Sequence, residues 1–255
     1  MNSPIKYVLS CVLDILLPRR CLVCDCRLLV NEKHLCLHCM ADLPLTYFWT
    51  YRHNAMADRF NALIEEKYPD NSYERYVNAA ALFFYSHENG YREILYSLKY
   101  LYNIPVGEFF GKMLGKRLSQ SETYRDVDII IPVPLHWRRS WSRGYNQAEV
   151  IAKALAKELN AELRTDILKR KRHTSTQTKL DIEGKAANVE AAFKVKASTL
   201  PGSIHEGPGE VHHILLVDDV FTTGNTLFAC FTALRTVFPP GVRISVATLG
   251  FVGGG

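Results

Sequence analysis

Two hydrophobic rhythms alternate along this chain. Residues 79–85 (A-A-A-L-F-F-Y), 129–133 and 214–217 are short, uninterrupted apolar runs rich in branched side chains. A strand covered by helices on both faces of a parallel sheet reads this way, because no position along it meets water. Between these runs the apolar residues recur every three or four positions. Residues 91–101 carry Ile94, Leu95 and Leu98 on one side, residues 107–118 continue the pattern, and Ala148, Ile151, Ala152, Leu155 and Leu159 define a further amphipathic helix. Residues 227–238 predict another helix, and residues 167–169 and 244–249 predict strands. Strand alternating with helix predicts an α/β domain built on a parallel sheet.

Punctuation marks the joints. Pro132 and Pro134 stop the ladder of the 129–133 strand, Pro239-Pro240-Gly241 turns the chain before the last strand, and residues 198–210 form a Pro/Gly loop. In residues 46–76 aromatic and polar residues alternate and Pro69-Asp70-Asn71 is a turn, which predicts a linker with a helical connection.

At 255 residues the chain can bury a substantial core, and 47% hydrophobic with 22% charged residues describes a soluble globular protein. Residues 7–17 are apolar but interrupted by Asp14 and too short to span a bilayer. They predict an amphipathic helix packed on the body, in a cytoplasmic protein. The net charge of +5 is modest but uneven. Between His136 and Arg172 ten Lys/Arg stand against four Asp/Glu, an excess larger than that of the whole chain. That concentration predicts a polyanionic partner, either a phosphorylated small molecule or nucleic acid.

The chemistry centres on residues 211–227, V-H-H-I-L-L-V-D-D-V-F-T-T-G-N-T-L. The strand ends on Asp218 and Asp219, at the edge where open α/β sheets bind ligands. Thr222, Thr223, Gly224, Asn225 and Thr226 follow at once. Small residues and one glycine let the backbone wrap an anion, the hydroxyls add donors, and the next helix supplies free N–H groups. Two carboxylates beside such a cup would repel a bare phosphate. They suit vicinal sugar hydroxyls, or a Mg²⁺ already holding another phosphate. The expected ligand is a sugar phosphate.

Near the N-terminus, Cys21-Leu22-Val23-Cys24 and Cys36-Leu37-His38-Cys39 form a C-x2-C pair of hairpins separated by eleven residues. This spacing lets four thiolates converge on a tetrahedral Zn²⁺, predicting Cys21, Cys24, Cys36 and Cys39 as metal ligands. Thiol redox chemistry is the rival reading, and Cys26 and His38 are spare ligands. So small a knuckle holds no core of its own, so the metal would fix its fold. It serves either as a structural clasp or as a platform offering Arg19, Arg20, Arg27 and Lys33 to nucleic acid. Cys11 and Cys230 sit in apolar surroundings and read as core.

Two further basic segments complete the set. Arg138, Arg139 and Arg143 follow the 129–133 strand, where arginine forks would match diphosphate oxygens; a solvated basic loop is the plainer alternative. Residues 169–180, K-R-K-R-H-T-S-T-Q-T-K-L, predict a surface lid or binding loop carrying Arg170, Thr174 and Gln177. The same composition would serve an inert turn or a strip for DNA phosphates. Lys99, at the end of the 91–101 helix, is either a cation favoured by the helix dipole or a reach toward a substrate phosphate.

V-D-D-V-F-T-T-G-N-T resembles the phosphoribosyl pyrophosphate (PRPP) signature of the type I phosphoribosyltransferases. The resemblance narrows when the cysteine knuckle, the Lys99-Tyr100 pair, P-V-P-L-H with Arg143-Gly144-Tyr145-Asn146-Gln147, and then Arg170, Thr174, Gln177, Leu180, Asn188 and Phe193 are added. Together these are similar to the ComF family, competence-associated phosphoribosyltransferase-like proteins. Lys185 departs from that pattern, which has Arg there.

The resemblance implies a type I phosphoribosyltransferase fold: a parallel sheet of about five strands flanked by helices, with a hood. Residues 1–45 would hold the N-terminal helix and zinc knuckle, 46–78 the connection, and 79–255 the phosphoribosyltransferase domain, with 79–118 as hood. It further implies PRPP as ligand with Mg²⁺, structural zinc, and a part in DNA uptake through single-stranded DNA. Asp218 and Asp219 would hold the ribose hydroxyls, Thr222–Thr226 the 5′-phosphate, and the basic loops the departing pyrophosphate. The chain is then either a pentosyl-transferring enzyme with an unidentified acceptor, or a PRPP sensor that binds single-stranded DNA without turnover.

Overall fold

The computed structural model describes residues 18–69, 76–86, 88–135, 144–170, 192–196 and 211–253. The helix expected over 7–17 and Cys11 lie outside them. The elements, in order, are α1 (Leu37–Ala41), α2 (Ala55–Lys67), β1 (Ala79–Phe84), α3 (Arg92–Tyr100), α4 (Ile104–Ser119), β2 (Ile129–Pro132), α5 (Gln147–Leu159), β3 (Glu162–Leu163), β4 (Leu168–Arg170), β5 (Phe193–Val195), β6 (His213–Phe221), α6 (Asn225–Arg235) and β7 (Arg243–Phe251).

The apolar runs pair as parallel strands in one five-stranded sheet, in the order β1-β7-β6-β2-β3. This is the architecture that the alternation of rhythms predicts. The central pairing sets Asp218 opposite Thr248 and Leu216 opposite Val246. β6 and β7 are buried along most of their length, as both-face coverage requires. β4 and β5 pair antiparallel as a separate two-stranded ribbon packed on α6.

The strand order fixes where a crevice must lie. From β2 the chain crosses through α5 to β3 on one side; from β6 it crosses through α6 to β7 on the other. Right-handed crossovers running in opposite directions put their helices on opposite faces of the sheet. The sheet therefore has its switch point between β2 and β6, and a crevice opens at their carboxyl ends.

The segment expected as a hood, 79–118, supplies β1 of the sheet and the α4 layer beside α5. Its alanines and buried aromatics fit a covered edge strand, and α4 buries Val106, Phe110, Leu114 and Leu118 while Glu108, Lys112 and Lys116 stay exposed. Glycines let α4 lie close on α5: a Cβ on Gly111 would sit 2.9 Å from the Ala154 Cβ, and one on Gly115 would sit 2.8 Å from the Glu158 Cβ.

In the weakly patterned 46–76 region, α2 starts where Asn54 Oδ1 accepts from the N–H groups of Met56 and Ala57. The same side chain donates from Nδ2 to the Ala79 carbonyl at 3.0 Å, tying the helix to β1. Tyr91 Oη donates to the Cys39 carbonyl at 3.0 Å and joins the cysteine knuckle to the start of α3. No helix among the described residues is long and apolar enough to cross a membrane.

Candidate active site

A cleft of about 530 Å³ opens at the switch point, lined just past β2 by Val133, Pro134 and Leu135 and from β6 by Asp218, Asp219 and Val220. Thr222 and Thr226, Lys99 and Tyr100, Asn146 to Ala148, and Arg170 complete the wall. Residues separated by more than a hundred positions in sequence thus meet at one sheet edge. Lys99, Arg170, Asp218, Asp219, Thr222 and Thr226 are brought together there.

The two aspartates face opposite ways, as neighbours on a strand must. Asp219 turns toward α3, where its Oδ1 pairs with Lys99 Nζ at 2.9 Å, both groups largely buried. Asp218 turns toward α6 and Arg170, and its Oδ1 accepts from the Asp219 backbone N–H at 2.8 Å. Burial first, and the charge of Asp219 second, push the Asp218 carboxyl up to about 7, against the pull of that N–H, Lys99 and Arg170. An acid held so far above its ordinary range stands ready to gain from a ligand that offers hydrogen-bond donors. Lys99, expected near pyrophosphate, is found on the acid pair.

The threonine turn has the shape of an anion cup. β6 ends at Phe221, and Gly224 takes φ +85 as the N-cap of α6. A Cβ there would meet the Phe221 ring at 2.7 Å, so glycine is required both by conformation and by space. With glycine as cap, no capping side chain covers the first N–H groups of α6, although Asn225 N lies 3.5 Å from Thr223 Oγ1. Thr222, Thr223 and Asn225 are exposed around this end. Arg59 of α2 holds the turn from behind, donating from Nη1 to the carbonyls of Thr222 (3.3 Å) and Val252 (3.0 Å), with its guanidinium 5.1 Å over the Phe251 ring.

Asn146 and Gln147, given no role by sequence reasoning, line the opposite wall. Asn146 caps α5 by accepting from Ala148 N and donates to the Val133 carbonyl at 3.0 Å, fixing the exit of β2. An Asn directly before a helical repeat is a legible capping signal. Tyr100 belongs to the Lys99-Tyr100 pair of the family resemblance, whereas Arg59 carried no signal. Arg170 sits 5.0 Å over the Phe193 ring. Arg138, Arg139, Arg143, Thr174 and Gln177, with Leu180, Lys185 and Asn188, lie outside the described residues.

In the knuckle the sulfur atoms of Cys21, Cys24, Cys26 and Cys36 all lie within 4.8 Å of one another. A tetrahedral Zn²⁺ with Zn–S bonds of about 2.3 Å spaces its sulfurs about 3.8 Å apart; Cys24 and Cys36 are 3.7 Å apart. The thiol cluster therefore fits a metal. The compact set includes the spare Cys26, and the Cys39 thiol also hydrogen-bonds with Cys24, Cys36 and Cys21, so the four predicted ligands and Cys26 share one cluster. Cys26 joins it for a local reason: Asp25 takes a left-handed φ of 58, folding Cys26 back so that its carbonyl accepts from Cys21 N at 2.8 Å. Cys39 is buried, its N–H donating to Cys36 Sγ at 3.5 Å. Hydrogen bonding with the Cys24 and Cys36 sulfurs pushes the Cys26 thiol up to about 12. Several thiolates this close need a cation to coexist. Arg19 donates to the carbonyls of Glu32 and Leu29, and Arg20 pairs with Asp25 at 2.8 Å. Both arginines thus brace the knuckle.

Residues 146–250 match the family model described as phosphoribosyl transferase domain, a span running from the cap of α5 through β6 and α6 into β7. Among solved structures the chain is similar to adenine phosphoribosyl transferase from Trypanosoma brucei in complex with AMP, pyrophosphate and ribose-5-phosphate. That similarity has 12% identity and a TM-score of 0.32, covering 60% of this chain and 67% of the other, too loose for residue-by-residue transfer. No curated protein sequence matches the chain.

Proposed function

We propose that the cleft binds PRPP and that the protein is a phosphoribosyltransferase-like protein of the ComF kind. One observation carries this reading: an acid pair, a glycine-capped threonine turn and two cations line the same cleft at the switch point. The family match over 146–250 covers the acids and the turn. The 5′-phosphate takes the N–H groups of α6 and the hydroxyls of Thr222, Thr223 and Thr226. Asp218 and Asp219 accept from the ribose hydroxyls, Asp219 exchanging its bond to Lys99. Lys99 is then released toward the diphosphate, which Arg170 of the cleft wall would also hold; the family resemblance assigns Arg138, Arg139, Arg143, Thr174 and Gln177 to the same role.

In the transfer, the bond from C1 to the diphosphate oxygen breaks, its electron pair leaves with pyrophosphate, and an acceptor nitrogen donates the new pair to C1. Positive charge grows on the ribose as this happens. Two carboxylates beside the ring stabilise that charge, while the cations favour the leaving group. The carboxylate and hydroxyl oxygens of the cleft fit Mg²⁺, held by Asp218 or Asp219 with substrate phosphates, and the ion would neutralise phosphate charge. In the knuckle, zinc held by Cys21, Cys24 and Cys36 with Cys26 or Cys39 would fix a structural clasp.

Pyrophosphate release from PRPP, screened against free bases, amines and single-stranded DNA, tests turnover. Release with one acceptor class identifies the enzyme. Binding of PRPP with no release from any of them identifies a sensor.

A second reading is favoured by one surface feature. Tyr96 and Tyr100 are exposed on α3 with rings 5.0 Å apart, and Tyr100 lines the cleft. Exposed aromatics beside cations are a platform on which single-stranded bases stack. We infer from this a role for single-stranded DNA in the protein's work, in DNA uptake. A Tyr96→Ala/Tyr100→Ala protein should bind single strands about tenfold more weakly in a gel shift; unchanged binding would remove the tyrosines from that role.

A further inference from the structure

We propose that a second site, at the opposite edge of the sheet, binds a small organic phosphate carrying hydroxyl groups. The proposal does not depend on the reading of the main cleft. A separate cavity of about 280 Å³ opens where β1 and β7 begin, lined by Arg52, Tyr76, Asn78, Thr123, Arg243 and Ser245. Parallel strands all start at this edge, whereas Asp218 and Asp219 lie at the other. From Arg243 to Thr248, the partner of Asp218, is five strand steps, about 17 Å.

The lining carries two guanidinium groups and no carboxylate. Arg52 is exposed and engages only the Tyr76 ring, 5.8 Å from its centroid; among the described residues it pairs with no acid. Arg243 gives one Nη to Asp126, which leaves a guanidinium with further donors at the cavity wall. Asp126 is itself committed to His213 Nδ1 at 2.9 Å. Asp126 thus answers Arg243 and Asp58 takes the Tyr76 hydroxyl, which leaves the Arg52 guanidinium at the cavity without an acid of its own among the described residues, and forked donors suit phosphate oxygens.

The remaining lining is what a sugar-like body needs. Thr123 carries a hydroxyl, the Tyr76 and Ser245 hydroxyls already donate to Asp58 and to His213 Nε2 but keep oxygen lone pairs, and the Asn78 side-chain oxygen is buried without a hydrogen-bond partner. A buried carbonyl oxygen without a donor is costly, and rotation of the Asn78 amide toward a ligand hydroxyl in the cavity would remove that cost. The volume lies just below the roughly 300–1,000 Å³ usual for drug-sized ligands. It suits a metabolite of triose- to pentose-phosphate size. The main cleft, in contrast, presents its own acids to the sugar, so the two sites recognise hydroxyls with different groups.

Calorimetric titration of the full chain with glycerol 3-phosphate, and separately with inorganic phosphate, tests this. The wild type is expected to bind glycerol 3-phosphate more tightly than inorganic phosphate. Arg52→Ala, at an exposed position that leaves folding intact, should weaken this event by about tenfold. Asn78→Ala should abolish the preference for glycerol 3-phosphate over inorganic phosphate while inorganic phosphate still binds. A Thr222→Val/Thr226→Val protein, altered in the other cleft, should keep the event unchanged. Binding that ignores Arg52, or that disappears with the two threonines, overturns the proposal.

Discussion

His213 and Asp218 lie five residues apart on β6, and both are ionisable groups drawn into the sheet, yet their surroundings are opposite. His213 is fully buried at the amino edge, with Nδ1 on Asp126 at 2.9 Å and Nε2 on Ser245 Oγ at 2.8 Å. Asp126 also takes Arg243. With the carboxylate as acceptor, Nδ1 carries the proton, and the serine hydroxyl donates to Nε2. Every polar atom of the ring is matched within the fold. At the carboxyl edge Asp218 has one backbone N–H and a neighbouring negative charge. The first arrangement stabilises the protein; the second stores unfavourable energy that a ligand can release.

The pKa directions make the contrast measurable. Burial lowers the His213 pKa below its usual range, against the pull of Asp126. The unfolded chain therefore takes that proton first, and stability falls as pH drops below about 6.5. Asp218 does the reverse. Its folded pKa of about 7 exceeds the unfolded value, so the fold is favoured in acid and loses that contribution as pH rises from about 4 to about 7. The two edges tilt the stability curve in opposite senses.

The largest expected effect breaks the satisfied edge. His213→Ala removes two internal hydrogen bonds, leaves Ser245 buried without its partner and opens a cavity, and should cost about 3 kcal/mol in urea unfolding at pH 7.5. A loss under about 0.5 kcal/mol would mean that the network is incidental. Next, Asp218→Asn should stabilise the ligand-free protein by on the order of 2 kcal/mol at pH 8 and by nothing measurable at pH 4. Equal effects at both pH values would rule out relief of an ionised acid. Smallest, Lys99→Met leaves Asp219 unpaired beside Asp218 and should cost about 1 kcal/mol at pH 8. That loss should vanish in an Asp219→Asn background, and a double-mutant cycle reads the coupling directly.

How much of this was legible depended on how local the signal was. The both-face-buried run of β6, its terminal acids and the Thr222–Thr226 turn are contiguous, so strand, edge and cup could be read together. Periodicity likewise located α3, α4 and α5 to within a few residues. What escaped was set by distant partners. His213 meets Asp126 and Ser245 across 87 and 32 positions, and no pattern in one strand encodes that. Lys99 was placed at the cleft, but its pairing with Asp219 depends on how α3 lies over β6. The apolar run of 79–85 predicts a strand, yet it does not say that β1 joins the sheet edge beside β7. In the knuckle the C-x2-C spacing found the thiols but not the left-handed turn at Asp25 that brings Cys26 inward.

The central claim is that the strained acid pair and the threonine cup form one ligand site. Its most direct test is calorimetric titration with PRPP and Mg²⁺ of the wild type and of an Asp218→Asn/Asp219→Asn protein, each shown to be folded. The wild type should bind, more weakly as pH falls below about 7, and the double variant should lose affinity at least about a hundredfold. Equal affinity in the two proteins, or no binding by the folded wild type, would contradict the account.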